Sequence, residues 1–556
     1  DAENSIAYEN GDLSLGHQRL SIIDIGQVSN QPMEDSLSSI SFNGELYNYL
    51  ELKKTLRGES TFKTNSDTEV LKTGLDKKGV KFLNEANGMF AFAYYNKVND
   101  ELILARDRFG VKPLHYVIEQ GVLYFSSEIK PLIFVINNPA ANYKIYDSFL
   151  VDTATDFNEE TFIKNILQVK PGHYLQYKNG NIEEIKWYFE NDFVFDEKIF
   201  KNKEKTLEFT ENLLTDAISL RLRSDAPLCI TLSGGLDSAT IYTLIKEKLK
   251  LPITPFTFTH PRSKTDESEL VKKLVEPYAD KLILVESNHQ TGIDDVVEAL
   301  DFLEFPTWNP SAVAYLDMYK AIARQGFKVV LEGHGSDEQL GGYSYMVQSA
   351  VFESVKKFKL IRAWKIARIL KETDNPALGQ TRSLKKLIIP ALKQILKKES
   401  SENNFKKSMD EAFYYKILPI VLRTFDRLSM ACAIESRSPF MDYRVVEFFK
   451  KMPLAYKVSP LGSKAILREI LKKYDKDFIY QNKHKMGFAS DITKFFNVPA
   501  TKKFFEGKIN EFDMPKYKDK KERVLGLVKT KEWHDTGLIW KIAALSIINK
   551  KYGIQK

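Results

Sequence analysis

The chain has 556 residues, 43% hydrophobic and 28% charged, with a formal net charge of +7. That length exceeds one ordinary core and predicts two or three domains, and the composition is that of a globular chain, not a disordered one. No apolar run is long enough to span a bilayer, the polar start Asp1-Ala2-Glu3-Asn4 is unlike a secretory leader, and two cysteines fit a reducing cytoplasm better than a disulfide scaffold.

Residues 1–190 read as short strands broken by Gly, Asn and Asp turns, at 14–25, 39–42, 89–95, 102–105, 115–118 and 123–126. Helical patterns interrupt them at 49–56 and 67–77. The mixture predicts an α+β domain built on antiparallel sheet. Segment 191–203 is the expected linker. Beyond it, amphipathic stretches (204–223, 238–249, 266–278, 311–325) alternate with short apolar runs (228–232, 253–259, 281–285, 328–332). This alternation predicts a parallel sheet with helices on both faces, and the remainder of the chain reads as mostly helical. Lysines crowd 385–408, where apolar residues recur at helical spacing without interleaved aromatics. A solvated helix face is expected there, not a nucleic-acid site. Cys229 and Cys432 sit in apolar contexts and read as small buried hydrophobes.

Two strand ends carry the chemistry. The run Leu228-Cys229-Ile230-Thr231-Leu232 stops at Ser233-Gly234-Gly235, and a helical stretch follows from Leu236. Free backbone N–H groups at such a junction suit a phosphate or pyrophosphate, and glycine lets the main chain approach the anion closely. Asp237 puts a carboxylate where Mg²⁺ can bridge to the same phosphates. No Gly-Lys-Ser/Thr follows, so this is not the usual P-loop. A second junction, after Leu331, reads Glu332-Gly333-His334-Gly335-Ser336-Asp337-Glu338. Ligands of open parallel sheets bind beyond the carboxyl ends of the strands. Asp237 and Asp337 are therefore expected to share a Mg²⁺–pyrophosphate, beyond the plainer role of helix caps. Lys464, followed by Lys485, is the candidate cation for the charge that develops on pyrophosphate.

Residues 204–556 resemble the synthetase domain of glutamine-hydrolysing asparagine synthetases of the bacterial type. The resemblance is carried by Ser233–Ser238, 333–342 (GHGSDEQLGG) with Tyr343, 422–430 (LRTFDRLSM), 434–442 (IESRSPFMD), 463–468 (SKAILR), and Lys485 with Gly487-Phe488. It implies an α/β parallel-sheet ATP pyrophosphatase fold of the adenine-nucleotide α-hydrolase type, with a helical C-terminal part. It further implies ATP held at Leu232, Ser233, Gly234, Gly235, Asp237, Ser238 and Gly333, Mg²⁺ at Asp237 and Asp337, and Lys464 stabilising adenylation. Aspartate would become asparagine through an aspartyl-AMP, with AMP and pyrophosphate released. One position departs from the pattern. His334 stands where an acidic residue is usual, and a neutral imidazole can also deprotonate ammonia. His334 equally leaves open amidation of another carboxylate, such as a sugar uronate.

Residues 1–190 resemble the glutaminase domain of the same enzymes, a class II glutamine amidotransferase with the αββα N-terminal-nucleophile fold. The matching stretches are 16–24 (GHQRLSIID), 31–33 (QPM), 42–48 (FNGELYN), 66–70 (SDTEV), 88–93 (GMFAFA) and 105–114 (ARDRFGVKPL). The resemblance implies that Arg19 grips the carboxylate of glutamine and that Glu45 and Asp67 receive its ammonium. Asn43 and Gly44 would form the oxyanion hole. The family's nucleophilic Cys precedes the stretch that aligns with Asp1-Ala2-Glu3, so a preceding segment bearing it is expected, and glutamine hydrolysis depends on it. Ammonia must then reach the second site through an apolar passage between packed domains, for which 88–92 is a candidate lining. The expected ligands are glutamine, ATP and aspartate or another carboxylate. Neither nucleic acid nor membrane is expected as a partner, and the resemblance allows a homodimer.

Overall fold

The structure is a computed structural model that describes all residues except 1–4, 11–12, 59, 260–265, 287–292, 308–309, 311, 373–403, 483–497, 530–535 and 556. In the first part, a six-stranded antiparallel sheet runs in the order Asn181–Lys186, His173–Lys178, Glu101–Arg106, Gly88–Asn96, Ser38–Leu46, Met33–Glu34. Large and small residues alternate along its central strand. Phe90, Phe92 and Tyr94 face the helices Tyr49–Leu56 and Asp67–Lys78. Ala91 and Ala93 face a second layer in which Leu15, Leu114 and Val169 are buried beside Tyr116 and Phe125. That period of two places one face against helices and the other against sheet.

The strand expected at 14–25 stops earlier, at Gln18. Arg19 ends it: its guanidinium donates to the carbonyls of Ile23 (2.9 Å), Asp24 (2.7 Å) and Gly26 (3.1 Å), which curls the chain into a loop.

The second part holds a five-stranded parallel sheet in the order Ile283–Glu286, Thr254–Thr259, Leu228–Thr231, Val329–Leu331, Glu435–Arg437. Four of these strands were legible as apolar runs. The fifth, Glu-Ser-Arg, has no apolar residue and gave no such signal. Helix Ile293–Leu303 was not expected either, although Val296, Ala299, Leu300 and Leu303 form a buried stripe at helical spacing. Both faces of the sheet are covered. Cys229 and Val330 enter one core with the helices Leu418–Met430 and Thr536–Tyr552, and Ile230 and Leu331 enter another with Lys203–Arg221 and Ala465–Lys473. Among the described residues, no helix is long and apolar enough to cross a membrane.

The connecting segment 191–203 is not a free linker. Phe195 and Phe200 pack on Phe448 with ring centroids 5.1 and 5.2 Å away. Glu447 accepts the backbone N–H groups of Asn191 and Phe193, both at 3.0 Å. Ile129, Tyr146, Phe149 and Phe162 also share one core with Phe256, Val330 and Ile542, so the antiparallel and parallel parts are bound by common apolar packing.

Charges seal the same contact. Asp442, fully buried, caps helix Tyr443–Lys451 and accepts from Asn87 (2.9 Å), Arg221 (3.0 Å) and Arg444 (2.9 Å). Burial opposes its ionisation, but the two guanidinium groups and the hydrogen bonds outweigh it and hold the carboxyl well below the usual range. A depressed carboxyl stabilises the fold above its unfolded-state value and loses that contribution as pH falls. Asp442→Asn should lower unfolding free energy by about 3–5 kcal/mol at neutral pH, read as a urea midpoint, and should flatten the acid limb of the stability profile.

Candidate active sites

The first candidate site is a cavity of about 640 Å³ whose wall includes Arg19, Asn43, Gly44, Glu45 and Asp67, all five residues assigned to glutamine. Strand Ser38–Leu46 supplies three of them. Gly44 has φ +143°, and a Cβ there would lie 2.1 Å from the carbonyl oxygen of Met89 on the paired strand, so no other residue fits without moving that strand. Asn43 donates to the Ser127 hydroxyl at 3.2 Å. Asp67 opens helix Asp67–Lys78 and accepts the Leu46 N–H at 2.8 Å, while burial pushes its carboxyl up to about 6. Glu45 is buried 3.0 Å from the guanidinium of Arg437. A ligand ammonium at Glu45 would therefore compete with an arginine of the other half of the chain. Arg19 reaches the wall with its guanidinium already fastened to its own loop.

The second candidate site lies at the carboxyl edge of the parallel sheet. Helices Leu236–Leu244 and Ser336–Leu340 begin alike, each capped by a glycine (Gly235, Gly335), so Asp237 and Asp337 occupy equivalent places in the first turn and neither is the cap. Lys464 joins them. Its Nζ is 2.6 Å from Asp237 Oδ2 and 2.8 Å from Asp337 Oδ1. Burial works against this ammonium, but the two carboxylates prevail and raise its pKa above the ordinary lysine value. Small residues make the approach possible: a Cβ on Gly342 would be 1.8 Å from Asp337 Oδ1, and one on Gly333 would be 2.7 Å from the Cβ of Asp237.

The Ser-Gly-Gly loop is tied internally. Ser238 Oγ accepts the Ser233 N–H at 3.0 Å, Gly235 N–H meets Ser233 Oγ at 3.2 Å, and Gly234 N–H donates to Glu267 at 3.1 Å. Leu232 is fully buried, its N–H bound to Phe256 O at 2.8 Å. Burial pushes the Glu267 carboxyl up to about 7. Among the described residues, no group of three or more His, Cys, Asp or Glu side chains is placed to hold a metal ion. Two carboxylates suffice for a hard cation that also binds phosphates. Asp237 Oδ1 is buried without a hydrogen-bond partner, so the pair fits Mg²⁺, with Lys464 lying between the two carboxylates in this structure.

His334 sits apart from that cation pair. Its ring packs against Phe425, tilted by 33° with centroids 3.8 Å apart, and Nε2 lies 3.2 Å from Glu332 Oε2, a close contact without a hydrogen bond. Beside it is a narrow cavity of about 30 Å³, lined by Tyr47, Gly88 and Met89 from the first part and by His334, Ser436 and Met441 from the second. Of the 88–92 stretch, Gly88 and Met89 line this small cavity, Phe90 is buried in the helix-facing core, and Ala91 and Phe92 reach the wall of the larger cavity. Lys485, Gly487 and Phe488 lie outside the described residues, as does most of 385–408. Glu332, Glu267 and Arg437 were not singled out from the sequence. An acidic residue at the very end of a buried strand was the one available sign, for Glu332.

A glutamine amidotransferase domain model matches residues 2–188, and an asparagine synthase model matches residues 210–535. The chain belongs to the asparagine synthase family. Its fold is accordingly the α+β N-terminal-nucleophile type followed by the α/β ATP pyrophosphatase type. Amidase chry2 of Gibberella zeae is 30% identical over 362 residues, covering 62% of this chain and 53% of the relative. Amidase chyE of Penicillium rubens is 26% identical over 543 residues, 84% of this chain and 80% of the relative. Asparagine synthetase (glutamine-hydrolyzing) 2 of Bacillus subtilis is 30% identical over 485 residues, 83% and 63% respectively. The chain thus spans about half the length of the first of these and under two thirds of the third.

Gly44→Ala should cost about 3 kcal/mol or more of stability. Gly16→Ala, where an added Cβ meets nothing within 4 Å, should leave the urea midpoint nearly unchanged.

Proposed function

We propose that the protein is an ATP-dependent amidotransferase that adenylates a carboxylic acid and transfers glutamine-derived ammonia onto it, with aspartate as the acid and asparagine as the product. Residues 1–190 are the glutaminase part and 204–556 the ligase part. The observation that carries this is the convergence of Asp237, Asp337 and Lys464 at two glycine-capped loops. Such an arrangement suits the triphosphate tail of ATP, because N–H groups, fixed cationic charge and carboxylates for a metal meet at one sheet edge.

In the ligase part, a carboxylate oxygen of the acid attacks the α-phosphorus and pyrophosphate leaves with the broken P–O bond's electron pair. Backbone N–H groups at the first turn of helix Leu236–Leu244 orient the phosphates, those of Ser233, Gly234 and Gly235 being already bonded, and Lys464 offsets charge on the departing pyrophosphate. Mg²⁺ held by Asp237 and Asp337 would supply further neutralisation of that charge when bound. In the glutaminase part, Arg19 faces the α-carboxylate of glutamine, Glu45 and Asp67 its ammonium, and Asn43 with Gly44 the developing oxyanion. The narrow junction cavity lies between the two sites and has room for a molecule the size of ammonia. The setting is the cytoplasm.

A second acid substrate is favoured by one residue. His334 places an imidazole, not a carboxylate, beside the acceptor site, and two relatives bear the name amidase. Another carboxylate, such as a sugar uronate, would be adenylated by the same groups.

Acid-dependent exchange of labelled pyrophosphate into ATP, run against aspartate and a panel of uronates, identifies the substrate. Asp337→Asn should slow that exchange on the order of 100-fold, and exchange at the unaltered rate would remove the metal assignment. Asp67, with its carboxyl up at about 6, must ionise to receive an ammonium. Glutamine affinity measured by calorimetry should therefore weaken as pH falls below that value, approaching about tenfold per unit. Asp67→Asn should bind weakly throughout and lose most of the slope.

A further inference from the structure

Glu332 follows strand Val329–Leu331 and is buried, with its N–H bound to Arg437 O at 3.0 Å. Hydroxyls from three separate elements converge on its carboxylate: Thr231 at 3.3 Å, Tyr319 at 2.8 Å and Ser436 at 2.5 Å. Among the described residues, no lysine or arginine lies within ion-pair distance of it, and the basic group it meets is His334, at 3.2 Å. A carboxyl this deeply buried would ordinarily be neutral. Here burial is outweighed by the facing imidazole of His334 and by the hydroxyls of Ser436 and Tyr319, which hold the carboxyl below the usual range. A carboxyl group that takes three hydroxyl donors is engaged as an acceptor, so the imidazole nitrogen facing it is the one that carries the proton. Phe425, packed against it with centroids 3.8 Å apart, restrains the ring from turning.

We infer that Glu332 is the positioning residue for His334, fixing the tautomer in which Nε2 carries hydrogen and Nδ1 is the base for the attacking ammonia. The assignment rests on the proposed amidation. In the step it serves, the ammonia lone pair forms the C–N bond to the acyl carbon. The acyl C–O bond breaks with its electron pair leaving on AMP, and one N–H proton passes to Nδ1 of His334. A carboxylate behind an imidazole holds the ring in the useful tautomer and stabilises the imidazolium that results.

Adenylation needs no base for ammonia, so the two half-reactions separate the roles. Glu332→Gln should keep acid-dependent pyrophosphate exchange within about threefold while slowing amide formation from ammonium chloride on the order of 100-fold, and Glu332→Asp should recover part of that loss. Equal losses in both half-reactions, or no loss in either, would overturn the assignment. If the unaltered protein exchanges pyrophosphate with no acid tried, the proposed activity fails instead. The pair is then judged by ¹⁵N NMR of histidine-labelled protein, with His334→Gln assigning the signal. At a pH high enough to deprotonate the ring, hydrogen on Nε2 is expected, and hydrogen on Nδ1 overturns the inference whether or not the Glu332 variants fold.

Discussion

A single buried guanidinium holds the two parts of this molecule in register. Arg437 has no solvent exposure, and its charge meets Glu435 at 2.7 Å and Glu45 at 3.0 Å. It also donates to the carbonyls of Arg221 (3.0 Å) and Arg223 (2.6 Å). Burying so many charges is expensive unless each is matched, and the planar five-donor head of arginine can match several at once. Glu45 belongs to the central antiparallel sheet and Glu435 to the last parallel strand, while the carbonyls end the helix between them. Shifting one part against the other would strand a charge in a dry interior.

The same constraint explains why both candidate sites lie along one seam. Strand Ser38–Leu46 presents Asn43, Gly44 and Glu45 to the larger cavity, and Glu45 is held by Arg437 on the strand that also contributes Ser436 to Glu332. The wall of the larger cavity and the His334 pocket are thus two sides of a short run of chain. Lys112, fully buried and 2.8 Å from Asp426, adds a second such tie beside it. A seam built from matched charges is rigid, which suits a small junction cavity that must keep its shape.

At the carboxyl edge of the parallel sheet the logic is reversed, because charges there are concentrated and not dispersed. Asp237 and Asp337 face each other across a gap that only glycines at 333 and 342 leave open. Two carboxylates so close repel unless a cation lies between them. Lys464, at φ +56° on the end of its helix, supplies one in this structure. The geometry is therefore that of two carboxylates closed over one ammonium.

Local pattern was enough for much of this. The apolar runs at 228–232 and 328–332 marked buried strands, the glycines after them marked tight strand-to-helix turns, and the aspartates two residues beyond each cap followed from chain order alone. Motif stretches 16–24, 42–48 and 66–70 likewise carried the family of the first part, because hydrogen-bonding residues at fixed spacing are written in the chain itself. What the chain order could not convey were partnerships between distant residues. Strand Glu435–Arg437 has no apolar signature, since Glu435 and Arg437 pair with each other and with Lys112 and Glu45 of the first part, and Ser436 donates to Glu332. The 191–203 segment reads as polar linker but is anchored by Phe448 and Glu447, and Arg19 bends what alternation suggested was one continuous strand. Pairing of charges in a low-dielectric interior depends on three-dimensional proximity, and only the folded chain brings Glu45 to Arg437, Lys464 to both aspartates, and Lys112 to Asp426.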